Sequence, residues 1–453
     1  MTMNTPICDF VRRYCDSGTM RLHMPGHKGQ GPLGFEQLDI TEISGADSLY
    51  EASSVIAESE RNASLLFGCP TFYSTEGASQ CIRAMVYLAM LHAKQQGKQP
   101  LIAAARNVHK TFLSAAALLD TPVDWLYPAE ESAYLSCHIS AEALESYFVS
   151  APVVPAAVYV TSPDYLGNML DIGALAEVCH RHGALLLVDN AHGAYLRFLS
   201  PSRYPMDLGA DMCCDSAHKT LPVLTGGAYL HISSAAPAFF TEQAKNALAL
   251  FGSTSPSYLI LQSLDAANGV LADPDYIRSL HTLYARLEDC RQQLSRHGIN
   301  ANCGQDPLKL TIHPRFYGYT GTELAEYLRQ HKIECEFADP DFLVLMATPA
   351  ITTEDLQRLA DTLKQLPRRE AILAEPPRIP RPDKVLSIRE AMLCPGKTVP
   401  VAESLGRILA SPSVGCPPAV PILVCGERID EAAMACFQYY GIDHCTVAEE
   451  EFV

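Results

Sequence analysis

Four short apolar runs, each closed by a polar or charged cluster, constrain this chain more than any other feature. Leu101 to Ala105 runs into Arg106-Asn107-Val108-His109-Lys110, and Ala156 to Val160 into Thr161-Ser162-Pro163-Asp164-Tyr165. Leu185 to Val188 ends on Asp189, and Met212 to Cys214 on Asp215. Runs this short with no polar alternation suit strands buried on both faces, and the helical patterns between them predict a parallel sheet covered by helices. In such sheets ligands bind beyond the carboxyl ends of the strands. Every polar cluster named here falls at such an end.

The last two ends carry the most specific chemistry. Lys219, in Asp215-Ser216-Ala217-His218-Lys219-Thr220-Leu221, comes thirty residues after Asp189 in Leu185-Leu186-Leu187-Val188-Asp189-Asn190-Ala191-His192-Gly193. A single Lys is ordinarily a solvated surface charge, because Lys is seldom buried unpaired. A Lys and an Asp that both lie just past apolar strands are what pyridoxal 5′-phosphate (PLP) requires. The amine forms a Schiff base with the aldehyde, and the acid keeps the pyridine nitrogen protonated so that the ring withdraws electrons from a substrate's α-carbon. Upstream, Tyr73-Ser74-Thr75-Glu76-Gly77-Ala78-Ser79 opens a helix whose apolar stripe is Ile82, Met85, Val86, Ala89 and Met90. A small-residue turn at a helix start presents N–H groups and the positive end of the helix dipole to a phosphate. The same composition also makes an ordinary N-cap.

Composition excludes several classes. The net charge of −17 opposes a general affinity for nucleic acid or an anionic membrane. No apolar stretch reaches the roughly 18 residues that span a bilayer, and Met1 to Pro6 lacks the basic-then-apolar form of a signal peptide. The sixteen cysteines form no C-x-x-C pair, and several (Cys213, Cys214, Cys335, Cys425) lie in apolar runs, which predicts reduced thiols in a cytoplasmic protein. His180-x-His182 has no third ligand nearby, so no metal site is expected. At 453 residues the chain has room for two or three domains. An arm over residues 1–50 has little periodic structure but holds the dense motif Arg21-Leu22-His23-Met24-Pro25-Gly26-His27-Lys28-Gly29. A large cofactor-binding domain follows over 51–260, beginning with a helix from about Ser54 to Phe67. A smaller α+β domain spans 261–370, with strands near Leu308–Ile312, Glu334–Phe337 and Phe342–Met346 and a last helix from Thr352 to about Leu366. The proline-rich Glu375–Pro382 reads as a linker into a C-terminal domain within 371–453.

Several motifs together resemble one family, the fold-type-I PLP-dependent decarboxylases of ornithine, lysine and arginine. They are Leu22 to Gly29, Arg106 to Lys110, Asp189 to Tyr195, Ser216 to Leu221, Ser253-Thr254-Ser255-Pro256-Ser257-Tyr258, and the tail from Cys416 to Glu427. They occur in register along nearly the whole chain. The resemblance implies an α/β large domain with a mostly parallel sheet, a smaller α+β domain and a C-terminal α+β domain. It implies that Lys219 carries the cofactor, Asp189 pairs with the pyridine nitrogen, His109 stacks on the ring and His192 packs beside it. Gly77, Ala78, Ser79 and Ser216 would hold the phosphate, with His218 at the phosphate or the substrate carboxylate. Ser253 or Thr254 would reach the cofactor of a neighbouring subunit, making a homodimer with shared active sites. Glu427 would meet the distal cation of a basic amino acid. Two residues depart from the family pattern. Ala78 replaces a hydroxyl residue, at a cost of about 1 kcal/mol of phosphate hydrogen bonding, and Asn190 replaces an acidic or small residue beside Asp189. The sequence shows no stretch like the N-terminal receiver-like domain of the large acid-induced members, and the resemblance implies the shorter branch.

The implied reaction is decarboxylation of arginine, lysine or ornithine to a polyamine-type amine and CO₂, with His218 or Lys219 returning a proton to Cα. Two alternatives stay open on sequence alone. One is another PLP reaction on the same scaffold (aminotransferase, aldolase or lyase), and the other is a non-catalytic regulatory homologue, which would have no need of Lys219 and Asp189.

Overall fold

The computed structural model describes residues 3–128, 133–412, 418–449 and 451 of the chain. They form two compact units, each discontinuous in sequence: the chain up to Lys98 with Ile172–Ser279, and Gln99–Asp171 with the chain from Leu280 onward. The α/β portion has strands β1 (Thr71–Ser74), β2 (Ile102–Ala105), β3 (Val123–Leu126), β4 (Ala157–Thr161), β5 (Leu185–Asp189), β6 (Met212–Asp215) and β7 (Ala228–Ile232). All four apolar runs of the sequence are strands.

In the first unit the strands lie in the order β1-β7-β6-β5. β5 and β6 are parallel, with Leu187 opposite Met212 and Asp189 opposite Cys214. β7 is antiparallel to β6, and β1 is antiparallel to β7. Two reversals restore the direction, so β1, β5 and β6 all run the same way and their carboxyl ends share one edge. The expected helix at Ser54 to Phe67 runs Val55–Phe67, stopped by Gly68 in the left-handed conformation (φ 75°). The helix Gly77–Gln95 buries Ile82, Met85, Val86, Ala89 and Met90, the stripe read from the sequence. A helix in the N-terminal arm was not expected. Residues Pro6–Asp16 form a helix that starts on a first-turn proline and buries Ile7 and Val11. One i, i+4 pair is too short a stripe to register as periodicity.

In the second unit β2 pairs in parallel with both β3 and β4, Ile102 lying opposite Val123 and Ala157. A four-stranded antiparallel sheet follows, with β8 (Asn300–Cys303), β9 (Lys309–His313), β10 (Phe337–Ala338) and β11 (Leu343–Met346) in the order β10-β11-β9-β8. Its core of Ile312, Leu324, Leu328, Leu343 and Leu363 packs it against the helices Gly321–Gln330 and Thr353–Lys364. Thr352 and Asp355 close a capping box on the second helix. Glu375–Pro382 forms neither helix nor strand. The C-terminal segment has β12 (Gly396–Pro400), β13 (Leu409–Ser411) and β14 (His444–Ala448) in the order β12-β14-β13, and shares a core with the helix Glu431–Tyr439. Among the described residues no helix is long and apolar enough to cross a membrane.

Candidate active site

The shared edge of the first unit gathers three loops. After β1 the chain turns at Gly77 (φ 70°), whose N–H donates to the Gly226 carbonyl at 2.7 Å. Gly226 has φ 96°, and a Cβ there would come within 3.0 Å of the Thr75 carbonyl oxygen. Both positions therefore need glycine. The helix Gly77–Gln95 has no side-chain cap at its N-terminus. Its first turn is pinned by Gln80, which donates to the Leu248 carbonyl and the Tyr50 hydroxyl, each at 2.8 Å, and accepts from Ser74 Oγ at 2.6 Å. Ala78 and Ser79 thus sit on a rigid, positively polarised helix start.

The second loop leaves β5. Asp189 is 2% exposed, and its Oδ1 accepts from the Ala191 N–H at 3.2 Å and from the Cys214 thiol at 3.7 Å. Burial pushes the Cys214 thiol up well above the ordinary range, with Asp189 adding to the effect, so the sulfur keeps its proton as a donor. The third loop follows β6. Ser216, which is buried, opens a single helical turn, Ala217–Thr220. It brings Lys219 Nζ to 2.7 Å from His192 Nε2. An ammonium only donates, so His192 Nε2 is the acceptor when Lys219 is charged. His218 Nδ1 lies 3.0 Å from the Gly227 carbonyl. A carbonyl only accepts, so Nδ1 carries a proton and Nε2 is the basic nitrogen of neutral His218. Ser253 and Thr254 are exposed, and the Ser253 N–H donates to the Glu76 carboxylate of its own chain.

The structure therefore brings Lys219, His192 and Asp189 together at one edge, with the Gly77–Ser79 turn at the same edge. Ser216, His218, Ser253 and Thr254 lie in the same unit, and His109 and Glu427 belong to the second. His109 caps the helix Lys110–Leu119, with Nδ1 accepting from the Thr111 N–H at 3.2 Å. That bond places the proton of neutral His109 on Nε2. Glu427, expected to await a substrate cation, already has one: Arg106 Nη2 meets its Oε2 at 2.6 Å, with the two side chains 6% and 2% exposed. The Val424 N–H donates to the same oxygen at 2.8 Å. Burial raises the Glu427 carboxyl above its ordinary range, and Arg106 offsets only part of that. Cys416 and Pro417 of the tail motif lie outside the described residues. In the arm, the Gly29 N–H donates to His27 Nδ1 at 3.0 Å, which leaves Nε2–H to face Asp39 at 3.2 Å. His180 pairs with Asp211 at 3.0 Å.

PLP presents a phosphate dianion, a ring nitrogen that must stay protonated, and an aldehyde. The edge presents a helix start without a side-chain cap, a buried carboxylate and a lysine amine, so donor and acceptor chemistry match part for part. Asn190 and Asp215 stand in the sequence motifs without a role, and Tyr204 and His231 were passed over. For Asn190, Asp215 and His231 the signal was a charged or amide group inside or at the end of a continuous apolar strand, a placement that requires a partner.

Comparison with solved structures places this fold among those of the fold-type-I PLP enzymes. The Francisella novicida lysine decarboxylase superposes with a TM-score of 0.79 at 17% identity, covering 98% of this chain and 81% of its own. The Sphingomonas wittichii serine palmitoyltransferase superposes at 0.57 and 14% identity, covering 80% and 83%. The chain belongs to the Orn/Lys/Arg decarboxylase family, whose major-domain model matches residues 5–305. It is a PLP-dependent amino-acid decarboxylase. Among its relatives are the arginine decarboxylases of Halalkalibacterium halodurans (28% identity over 95% of this chain and 92% of the relative) and Bacillus subtilis (26%, over 94% and 91%).

Proposed function

We propose that this chain decarboxylates a basic amino acid, with arginine as the preferred substrate, and yields a polyamine-type amine. The observation that carries the reaction is the 2.7 Å contact between Lys219 Nζ and His192 Nε2 on the edge that also bears buried Asp189. The preference for arginine is supported by the full-length arginine decarboxylase relatives. PLP, when bound, supplies an electron sink for the pair released from the Cα–carboxylate bond. Asp189 holds the ring nitrogen protonated from a site of low dielectric, where an ion pair is strong. Lys219 holds the aldehyde, and His192 takes the proton from Nζ so that the amine can act as a nucleophile. The turn at Gly77, Ala78 and Ser79 and the N-terminus of its helix, with Ser216, would bind the phosphate, and His109 would pack on the ring. His218, once protonated at Nε2, or Lys219 would return the proton to Cα.

The working form is a homodimer in the cytoplasm. Ser253 and Thr254 are exposed and able to reach a second subunit, and the arm leaves Leu22 and Met24 85% and 65% exposed. Apolar side chains so exposed on a motif-bearing arm call for a covering surface. The substrate assignment is tested by offering arginine, lysine and ornithine together in equal amounts and quantifying the three product amines. The amine from arginine should dominate. Dominance of another amine would replace the substrate, and accumulation of a keto acid would replace the reaction.

A further inference from the structure

Behind the ends of β5 and β6 lies a polar cluster that the steps above leave unused. Asp215, the last residue of β6, is fully buried. Its Oδ1 accepts from Asn190 Nδ2 at 2.6 Å, and its Oδ2 from the Tyr204 hydroxyl and from His231 Nε2, each at 3.1 Å. His231, fully buried in β7, places Nδ1 2.9 Å from Thr71 Oγ1. That hydroxyl gives its single proton to the Cys69 carbonyl at 3.0 Å. Nε2 carries the proton that reaches the carboxylate, and Nδ1 lies between the Thr71 hydroxyl and the Cys69 thiol, the latter 3.9 Å away. Burial alone would lower the His231 pKa, but the charge and hydrogen bond of Asp215 reverse that and push it up to about 9.

The place of this pair in the chain gives it a further role. Asn190 follows Asp189 directly, and its N–H also donates to the Cys214 carbonyl at 3.0 Å. Asp215 precedes the turn that carries Lys219. The carboxylate therefore ties the Asp189–His192 loop to the Lys219 turn. The loop closes tightly over this tie, since a Cβ at Gly193 would lie 2.0 Å from Asn190 Oδ1. Asn190, one of the two departures from the family pattern, is the member that spans the loops. An amide suits this point because a second carboxylate facing Asp215 at this distance would repel it.

We infer that Asp215, held by His231 and reaching Asn190, is a positioning residue that fixes the spacing between the acid for the ring nitrogen and the amine for the aldehyde. The inference rests on the PLP assignment above, and neither Asp215 nor Asn190 touches the reacting atoms. Displacement of reacting groups by about 1 Å is enough to cost on the order of a hundredfold in rate.

Asn190→Ala is the informative variant, because it cuts the tie while leaving the buried Asp215–His231 pair intact. Its fold should survive, as read by circular dichroism and by apoprotein thermal unfolding. Cofactor affinity, measured by equilibrium dialysis against PLP, should fall on the order of tenfold, and kcat by a similar factor with KM little changed. Asp215→Asn should do the same more severely, because its new amide N–H₂ faces donors. Asn190→Asp should not restore function, whereas Asn190→Gln should restore part of the PLP affinity. Wild-type PLP affinity and kcat in folded Asn190→Ala would overturn the inference, and so would a loss of thermal stability with both parameters unchanged. If the wild-type chain itself binds no PLP, the assignment of the site fails instead, and the dialysis separates the two failures.

Discussion

Replacing Glu427 with Gln decides what that carboxylate does. Its Oε2 lies 2.6 Å from Arg106 Nη2, and both side chains are almost wholly buried. The guanidinium also stacks on Trp125, with Cζ 5.1 Å from the ring centroid, and reaches the Ile422 carbonyl at 3.3 Å. Gln keeps the shape and can still accept the Val424 N–H, so the change removes little but the charge. At an effective dielectric near 20, two unit charges at about 4 Å interact by about 4 kcal/mol. Breaking one side of a buried pair costs about 3–5 kcal/mol. Glu427→Gln should therefore lose about 3–5 kcal/mol of unfolding free energy in urea, followed by far-ultraviolet circular dichroism. Arg106→Met with Glu427→Leu should recover most of it, because apolar replacements of buried pairs are often neutral. Once corrected for the folded fraction, KM for arginine should not move more than KM for an uncharged analogue. A loss below about 1 kcal/mol together with a large, arginine-selective rise in KM would refute the structural role. It would return Glu427 to the substrate's distal cation.

Three further outcomes follow from the same geometry. Asp339 accepts the N–H groups of Asp341 and Phe342 at 2.8 and 2.7 Å, and burial raises its carboxyl from an ordinary value of 3.8 to about 7. The unfolded chain releases that proton first, so stability falls between about pH 4 and pH 7, by at most about 4 kcal/mol. Asp339→Asn keeps both acceptor contacts and should raise the unfolding temperature at pH 8 but not at pH 4; equal effects at both would exclude the titration. Ala78→Ser restores a hydroxyl at the helix start and should tighten PLP binding by about 1 kcal/mol, roughly fivefold; unchanged affinity in dialysis would remove Ala78 from the phosphate cradle. Gly226→Ala forces a left-handed residue and a Cβ within 3.0 Å of the Thr75 oxygen, and should cost about 1–2 kcal/mol in stability together with weaker PLP binding; a neutral result would separate Gly226 from the Gly77 turn.

The sequence was most legible where local pattern and chemistry coincide. Apolar runs ending on Asp189 and Asp215 were readable as strands because burial on both faces leaves no alternation, and Lys219 stood out by its place beyond such a strand. The helix from Gly77 was readable by its period. What escaped depends on partners distant in sequence. Nothing local to Glu427 announces Arg106, 321 residues away. Nothing near Asn190 shows that its amide will meet Asp215 across a parallel strand pair. The antiparallel β1 and β7 escaped for a related reason: strand direction depends on connections, and the apolar content of a buried strand is the same either way. The helix Pro6–Asp16 buries too narrow a stripe to show, though Pro6 marks its start.

The most direct test of the central claim is CO₂ release from carboxyl-labelled arginine, lysine and ornithine, assayed separately with PLP, for the wild-type chain and Lys219→Ala. The account predicts release from the wild type, fastest with arginine, and loss of both release and the cofactor's visible absorbance band in folded Lys219→Ala. Undiminished release from Lys219→Ala, or no release by the wild type from any of the three while PLP is bound, would contradict it.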